Sequence, residues 1–439
     1  MVCRRSEEGT LIRRSAMNRA KQSQSMRRTH KPAIAALSLG HFVNDTYTSN
    51  IYPLLPLLAL KLHLTELQVF SLVPTLAITA AIMQPVFGFV TERVSQRLFA
   101  IIGPAVTGCC ISLIGVAPSY GMLLALLFIG GMGAGTFHPQ AVSLVARASG
   151  HKRRVGVSLF TAAGTFGFAL GPFIAASVIG AGDVSRTIYL MGGGVLAAVF
   201  VYVYCPTGER RGTDARPKAG LQSLLRALRA VRGPLCILYL ISLSRAIVHM
   251  LIDNYVPFIL SGEGYTIEAI GTILTAFLLA GAMGSLAGGT LSEKLGGHLL
   301  GAISGGAATL LLGLSFLTHG PLGILLMTLG SFAMMTMMPV NIAWAQELVP
   351  RETSTVSALL MGLVWGVASI AVPAAGPLVT SWGFRPILVG ASLLPFLTGV
   401  LALRLPRADD AASLEERPVE FAQRAESMCA DEETVEVNA

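Results

Sequence analysis

The chain has 439 residues, of which 53% are hydrophobic and only 13% are charged, whereas about 25% of the residues of a soluble domain are charged. Three segments, 1–32, 206–232 and 404–439, hold 34 of the 56 charged residues, so the other 344 residues carry only 22. So few charges cannot cover a soluble globule. The composition therefore excludes a typical cytosolic enzyme and a disordered chain, and it indicates a lipid bilayer as the solvent.

Twelve apolar stretches are long enough to cross a membrane as helices, for which about 20 mostly apolar residues are needed. They lack the period-2 alternation of a transmembrane β-barrel. We therefore predict an all-α membrane protein with spans at 33–60, 66–90, 98–117, 120–146, 155–181, 185–205, 233–260, 267–291, 297–318, 320–348, 354–381 and 385–405. Glycines four residues apart predict close contacts between these helices, at Gly131/Gly135, Gly167/Gly171, Gly284/Gly288, Gly301/Gly305 and Gly362/Gly366.

Basic residues predict the orientation, because Lys and Arg concentrate in cytoplasmic loops. With the N-terminus inside, 28 of the 32 basic residues fall on the inner side, and the outer loops carry only Lys61, Arg186 and Arg385. We expect both termini in the cytoplasm and the protein in the inner (plasma) membrane. The net charge of +8 is explained by these loops and needs no nucleic-acid partner.

Two parts of the chain, 33–205 and 233–405, resemble each other. SLGH at 38–41 matches SLSR at 242–245, and further pairs follow in the same order at nearly the same offset. Six-span halves repeat in parallel and bind substrate at their interface near the middle of the membrane. We therefore predict two pseudo-symmetric six-helix bundles. The remaining segments are a basic cytoplasmic tail (1–32, with an organellar transit peptide as the alternative), a cytoplasmic central loop (206–232) and an acidic, disordered tail (406–439).

Ionisable residues inside the spans mark candidate sites, because they are costly in lipid. Asp45 lies halfway along the first span, His41 is on the same helical face four residues earlier, and Asn44 adjoins them. A carboxylate in a low-dielectric environment binds a proton more readily unless it is paired, and histidine titrates near neutral pH. We predict proton coupling at Asp45, His41 and Asp253. A polar cluster that only fixes helix packing is the alternative.

Arg245, His249 and Asp253 recur every four residues and form one stripe on the seventh span. The guanidinium of an arginine is always charged and its fork of donors suits a carboxylate or phosphonate. Arg245 is therefore a candidate for substrate binding or for pairing with Asp45 or Asp253. We add four further candidates for substrate binding, namely His138, Asn44, His249 and Gln140.

The loop after the second span contains a glycine, three residues, an acid and a base, at Gly88, Glu92 and Arg93, with Arg97 beyond them. The second half repeats the pattern more weakly at Gly289, Glu293 and Lys294. This pattern resembles a motif of the major facilitator superfamily. The resemblance implies a conformational gate at the cytoplasmic ends of the helices. The alternative is a basic loop that only sets the topology.

The fifth span resembles the antiporter motif of that superfamily, matched by Gly164, Gly167, Gly171 and Pro172. HFVND at 41–45 and GTFHPQA at 135–141 are similar to the fosmidomycin-resistance transporters. This resemblance covers about residues 33–405. It implies a monomeric secondary transporter that exports a small anionic drug or metabolite, such as a phosphonate, in exchange for protons.

Other classes lack their defining motifs. The chain has no GxxxxGK[ST] phosphate loop, HExxH motif, CxxC pair or serine nucleophile elbow, so we expect no ATP-driven pump, enzyme, cofactor or metal. A proton-coupled importer of an organic anion or sugar remains the main alternative. A non-transporting membrane receptor is the alternative from another class.

Overall fold

The computed structural model describes residues 29–90, 95–180, 183–205, 228–229, 231–349, 356 and 359–405. Every regular element within these ranges is helical, and they contain no strand. The predicted all-α class is therefore confirmed. The central loop and the two tails lie mostly outside the described residues, so the predicted domain boundaries stay predictions.

The helices of the N-terminal part follow the predicted spans. They are Lys31–Ser49, Leu55–Leu62, Glu66–Val90, Gln96–Leu113, Tyr120–Ala148, Arg153–Ile179 and Met191–Tyr204. Short 3-10 helices lie between or beside them, at Tyr52–Leu54, Ile114–Val116, Gly150–Lys152 and Val184–Leu190.

In the C-terminal part, each of the first three spans is a single helix, whereas the last three spans are divided into shorter helical segments. The first three are Arg232–Gly262, Ile267–Leu295 and Gly297–Leu317. The tenth span breaks into Gly320–Met335 and Met337–Leu348. The last two spans comprise the π-helix Leu359–Leu363 and the helices Val364–Ser369, Ala371–Trp382, Phe384–Ala391 and Leu394–Ala402.

Eleven of the helical segments in the described ranges are long and apolar enough to cross a membrane. The first predicted span, 33–60, is not among them, although its helix Lys31–Ser49 has 19 residues and is long enough. That helix also carries His41, Asn44 and Asp45, whose polar side chains lower its mean hydropathy. The predicted span that fails by composition is therefore one of those that carry candidate site residues.

Side chains are distributed as expected for a protein in lipid. Large apolar side chains such as Leu196, Leu310 and Phe396 are exposed on the outside of the helices. Polar and charged side chains, among them Arg245 and Asp253, are buried between helices. Lipid solvates apolar groups well and charged groups poorly, so this arrangement places the ionisable residues in the interior.

Glycines allow the fifth span to pack closely against the first. A Cβ on Gly164 would collide with the imidazole of His41, and a Cβ on Gly171 would lie 2.5 Å from the carbonyl oxygen of Thr46. The hydroxyl of Thr46 donates to the carbonyl of Gly167 across the same contact, at 3.1 Å. The predicted antiporter-like glycines thus have a packing reason, which is close approach of two helix backbones.

Two further GxxxG pairs, one in each part of the chain, pack against helix backbones in the same way. A Cβ on Gly131 would lie 2.6 Å from the carbonyl oxygen of Leu76, and one on Gly135 would lie 2.7 Å from that of Ala80. These contacts join the fourth span to the second. Gly284 and Gly288 lie against the carbonyl oxygens of the tenth span in the same manner.

The two halves contact each other toward the predicted outer side. Four aromatic side chains, Phe70, Tyr255, Phe258 and Phe384, pack with ring centroids 5.0–6.3 Å apart, and we call them the outer seal. Phe70 belongs to the second span, whereas the other three belong to the C-terminal part. The hydroxyl of Thr380 donates to the carboxylate of Glu66 beside the outer seal.

Candidate functional site

The first candidate site is formed by His41, Asn44, Asp45 and His138, which we call the Asp45 cluster. Each carboxylate oxygen of Asp45 lies close to one imidazole. Oδ2 is 3.2 Å from Nε2 of His41, and Oδ1 is 3.4 Å from Nε2 of His138. The side-chain amide of Asn44 donates to Oδ1 at 3.2 Å. The structure therefore brings together three residues of the first span and one of the fourth.

Local helix geometry explains one half of this arrangement. His41 and Asp45 are four residues apart on the helix Lys31–Ser49, so their side chains share one face. His138 comes from the helix Tyr120–Ala148. Its position against Asp45 depends on packing between the spans, which the sequence does not reveal.

The fifth span fixes the imidazole of His41. Nδ1 lies 2.7 Å from the carbonyl oxygen of Phe160, and the two rings are stacked with centroids 4.0 Å apart. A carbonyl oxygen only accepts, so Nδ1 carries the hydrogen. Gly164 leaves the space in which this ring lies. The sequence could not predict a role for Phe160, because its backbone carbonyl, and not its side chain, makes the hydrogen bond.

This geometry gives the His41–Asp45 pair one shared proton. Since Nδ1 of His41 is already a donor, a proton between Nε2 and the carboxylate is needed to prevent two lone pairs from facing each other. The pair is thus either imidazolium with carboxylate or imidazole with carboxylic acid. The side chains of Asp45 and His138 are 17% and 28% exposed, so the cluster is not fully buried.

The second candidate site is the stripe Arg245, His249 and Asp253, all buried. Nδ1 of His249 lies 2.8 Å from Oδ2 of Asp253, and both side chains are less than 5% exposed. The rings of Phe277 and Trp365 each lie 5.2 Å from that of His249. The other carboxylate oxygen of Asp253 is buried without a hydrogen-bond partner in the described residues. Helical spacing predicted this stripe, and the structure places His249 between the arginine and the aspartate.

The guanidinium of Arg245 does not form either of the ion pairs considered from the sequence. It is 4% exposed, and Nη1 donates to Sδ of Met335 at 3.0 Å. No carboxylate of the described residues lies within 4.0 Å of it. The carboxylate of Asp253 is instead paired with His249, which is one helical turn nearer to it than Arg245.

The other predicted site residues have structural contacts. Gln140 is buried, and its amide lies 3.4 Å from the carbonyl of Phe87 in the second span. Arg97 donates to the carbonyls of Tyr202 and Cys205 at the end of the sixth span, within its own half.

The predicted gate is described only in part. Glu92 and Arg93 lie outside the described residues, and Gly88 lies in the last turn of Glu66–Val90. Gly289, Glu293 and Lys294 lie near the end of the helix Ile267–Leu295. The gate therefore stays a prediction.

The fold also assembles a set of metal-binding side chains that the sequence spacing did not show. One donor atom from each of His41, Asp45 and His138 lies within 4.8 Å of the others. We expected no metal, because the sequence contains no HExxH motif and no Cys/His metal set. The third donor, His138, is 93 residues beyond Asp45 and belongs to another span.

Comparison with known proteins identifies the family. A sequence model of the Major Facilitator Superfamily matches residues 37–373 and, in an overlapping match, 268–428. The chain belongs to the major facilitator superfamily. It is therefore a multi-pass membrane transporter of a family that binds small-molecule substrates.

Individual relatives of this superfamily member agree with that conclusion. The fosmidomycin resistance protein of Escherichia coli (strain K12) is 28% identical over 399 residues, which cover 88% of this chain and 96% of the relative. The structure of a D-xylose-proton symporter superimposes with a TM-score of 0.70 at 16% identity, over 88% of this chain and 99% of that one. A bacterial homologue of the human lysosomal transporter Spinster, inward-facing and unoccupied, gives a TM-score of 0.68 at 17% identity, over 88% and 96% of the two chains. These two structures show the shared fold.

Proposed function

We propose that this transporter is a proton-coupled antiporter that exports a small organic anion. The environment of Arg245 carries the proposal. Its guanidinium is buried, and no carboxylate of the described residues lies within 4.0 Å. A buried cation without a counter-ion is costly, so an anionic ligand is favoured there. The fork of donors suits a carboxylate or a phosphonate.

The Asp45 cluster supplies the proton coupling. Its carboxylate shares one proton with His41 and faces His138 on the other side. Release of that proton leaves the carboxylate facing an imidazole lone pair, which is unfavourable and disrupts the pair. Binding and release of the proton therefore change the packing of the first span, which is the kind of change that alternating access requires. The pair His249–Asp253 is a second candidate for the same role.

The name of the bacterial relative supports the substrate class and direction. That relative is a fosmidomycin resistance protein, and fosmidomycin is a small phosphonate. We propose export of a drug or metabolite of this chemistry across the inner membrane, by a monomer with both termini in the cytoplasm. The halves 33–205 and 233–405 rock about the site, and the residues from Gly88 to Arg97 act as the inner gate.

Transport by purified protein in liposomes tests this proposal. We expect counterflow of a labelled small phosphonate, and accumulation that reverses when the imposed pH gradient is reversed. Absence of counterflow for every anion tested would favour a membrane receptor. Phosphonate movement that ignores the pH gradient would contradict proton coupling.

Import is the second candidate function, supported by the fold shared with a D-xylose-proton symporter. The two directions are distinguished in the same liposomes. A symporter moves substrate in the direction of proton flow, whereas an antiporter moves it in the opposite direction. Sugars serve as the alternative substrates in this assay.

A further inference from the structure

The Asp45 cluster contains three donors of the kinds that bind transition metals. They are Nε2 of His41, a carboxylate oxygen of Asp45 and Nε2 of His138, and the donor atoms lie within 4.8 Å of one another. We propose that these three side chains bind one divalent ion of the Zn²⁺ class, and that the bound ion inhibits transport. The binding is independent of the proposed function, whereas the inhibition rests on it.

Two of the three donor-to-donor distances are close to those of a tetrahedral site, and the two imidazole donors lie within 4.8 Å of each other. Two donors that are each about 2.0 Å from a tetrahedral ion lie roughly 3.3 Å apart. The carboxylate of Asp45 lies 3.2 Å from Nε2 of His41 and 3.4 Å from Nε2 of His138. The two nitrogens face different oxygens of the carboxylate, so a small rotation of that group is needed to present one oxygen to both.

The surroundings of His41 are those of a metal-binding histidine. Such a histidine commonly donates its second ring N–H to a carbonyl or carboxylate, which fixes the ring and leaves the other nitrogen free for the ion. Nδ1 of His41 meets the carbonyl of Phe160 at 2.7 Å, and the ring is held by stacking on Phe160. Nε2 is thereby directed toward Asp45.

The donor set selects the class of ion. Two imidazoles and one carboxylate suit Zn²⁺, Co²⁺ or Ni²⁺, whereas Mg²⁺ and Ca²⁺ prefer oxygen donors. The side chains of Asp45 and His138 are partly exposed, which leaves room for water as a fourth ligand. Three protein ligands with one open position form a stable zinc geometry.

Inhibition follows from the atoms that the ion occupies. The ion takes the nitrogen of His41 and the carboxylate of Asp45, the same atoms that share the proton. It displaces that proton to solvent and prevents its return. Both spans that hold the ion belong to the N-terminal half, so the ion does not act by linking the two halves.

Calorimetric titration of detergent-purified protein tests the binding. The protein for this titration is prepared without a polyhistidine tag, which would itself bind Zn²⁺, and is first treated with a chelator to remove bound metal. We expect one Zn²⁺ per chain and no site for Mg²⁺. Asp45→Asn and His138→Ala should each weaken Zn²⁺ binding about 100-fold or more. His319→Ala is the matched control, because His319 forms an exposed pair with Glu263 at 3.4 Å, and it should bind like the original chain.

Two results would overturn the site. One is unchanged Zn²⁺ binding in both Asp45→Asn and His138→Ala. The other is a Co²⁺ absorption spectrum of the original chain with only the weak bands of octahedral coordination, and this measurement does not depend on the folding of any variant.

Transport in liposomes tests the inhibition separately. We expect Zn²⁺ to inhibit anion transport by the original chain and by His319→Ala at the same concentration. Zn²⁺ binding without inhibition of active protein would contradict the inhibitory role. Zn²⁺ binding by a protein that transports no anion would leave the metal site supported and the proposed function refuted.

Discussion

At the scale of single residues, Asp45 is placed between two histidines from different spans. It lies 3.2 Å from His41 and 3.4 Å from His138. Arg245 lies in the opposite situation, since it is buried against the sulfur of Met335. The proposed function assigns the proton to the first site and the anionic substrate to the second.

Asp45→Asn should abolish transport driven by a pH gradient, because the amide preserves the shape of the side chain but cannot exchange the proton. Accumulation should fall to that of protein-free liposomes. Asp183→Asn is the control, because Asp183 is exposed and hydrogen bonds from Ser185 hold the pKa of its carboxyl below the usual range. Full gradient-driven transport by Asp45→Asn would refute the role of Asp45.

Arg245→Lys should reduce anion transport about 10–100-fold, because lysine keeps the charge but loses the bidentate fork. Initial rates over a range of substrate concentrations measure this effect. Arg186→Lys serves as the control, since Arg186 is half exposed and pairs loosely with Asp183 at 3.8 Å. Equal transport by Arg245→Lys would argue against bidentate recognition.

At the scale of helices, close packing of the first and fifth spans holds the Asp45 cluster together. Gly164 lies against the ring of His41, and Gly167 lies against the backbone of Phe42. The carbonyl of Phe160, one turn earlier, accepts from His41. The fifth span therefore both makes room for the imidazole and orients it.

Gly164→Ala should destabilise the protein by about 1–3 kcal/mol, because the added methyl group overlaps the ring of His41. It should also reduce transport, since the ring must move away from Asp45. Thermal unfolding in detergent measures the first effect. Gly306→Ala is the control, because a Cβ there meets no atom within 4 Å. Equal melting temperatures for the two variants would contradict this account of the contact.

At the scale of the whole molecule, the two halves meet through the outer seal and through two pairs of spans, the second with the eleventh and the fifth with the eighth. A Cβ on Gly366 would lie 2.8 Å from that of Ala81, which joins the eleventh span to the second. The backbone N–H of Phe173 donates to the hydroxyl of Thr275 at 3.1 Å, which joins the fifth span to the eighth. Alternating access requires the contacts of the outer seal to open.

A cross-link beside the outer seal should therefore stop transport. Glu66→Cys and Thr380→Cys, combined in a chain without other cysteines, replace two side chains that are hydrogen-bonded to each other. We expect a thiol cross-linker to block transport and a cleavable cross-linker to allow recovery after reduction. The single variants control for the reagent. Undiminished transport by fully cross-linked protein would show that this contact does not open.

Reporter fusions test the predicted orientation. Fluorescent protein fused to either terminus should be bright, because both termini are expected in the cytoplasm. Alkaline phosphatase should be active only when it is inserted in a predicted outer loop, for example after His319. An active phosphatase at either terminus would invert the topology.

The sequence by itself determined the class of protein, its helices and its family. Long apolar stretches with few charges leave helices in a bilayer as the favoured arrangement, because each helix satisfies its own backbone hydrogen bonds. Spacing along one helix also predicted that His41 shares a face with Asp45, and that Arg245, His249 and Asp253 form one stripe, since residues four apart share a face. Only the tertiary structure placed His138 at Asp45 and the carbonyl of Phe160 at His41, and left Arg245 without a described carboxylate partner. These contacts join residues far apart in the chain, and they depend on how closely the helices pack.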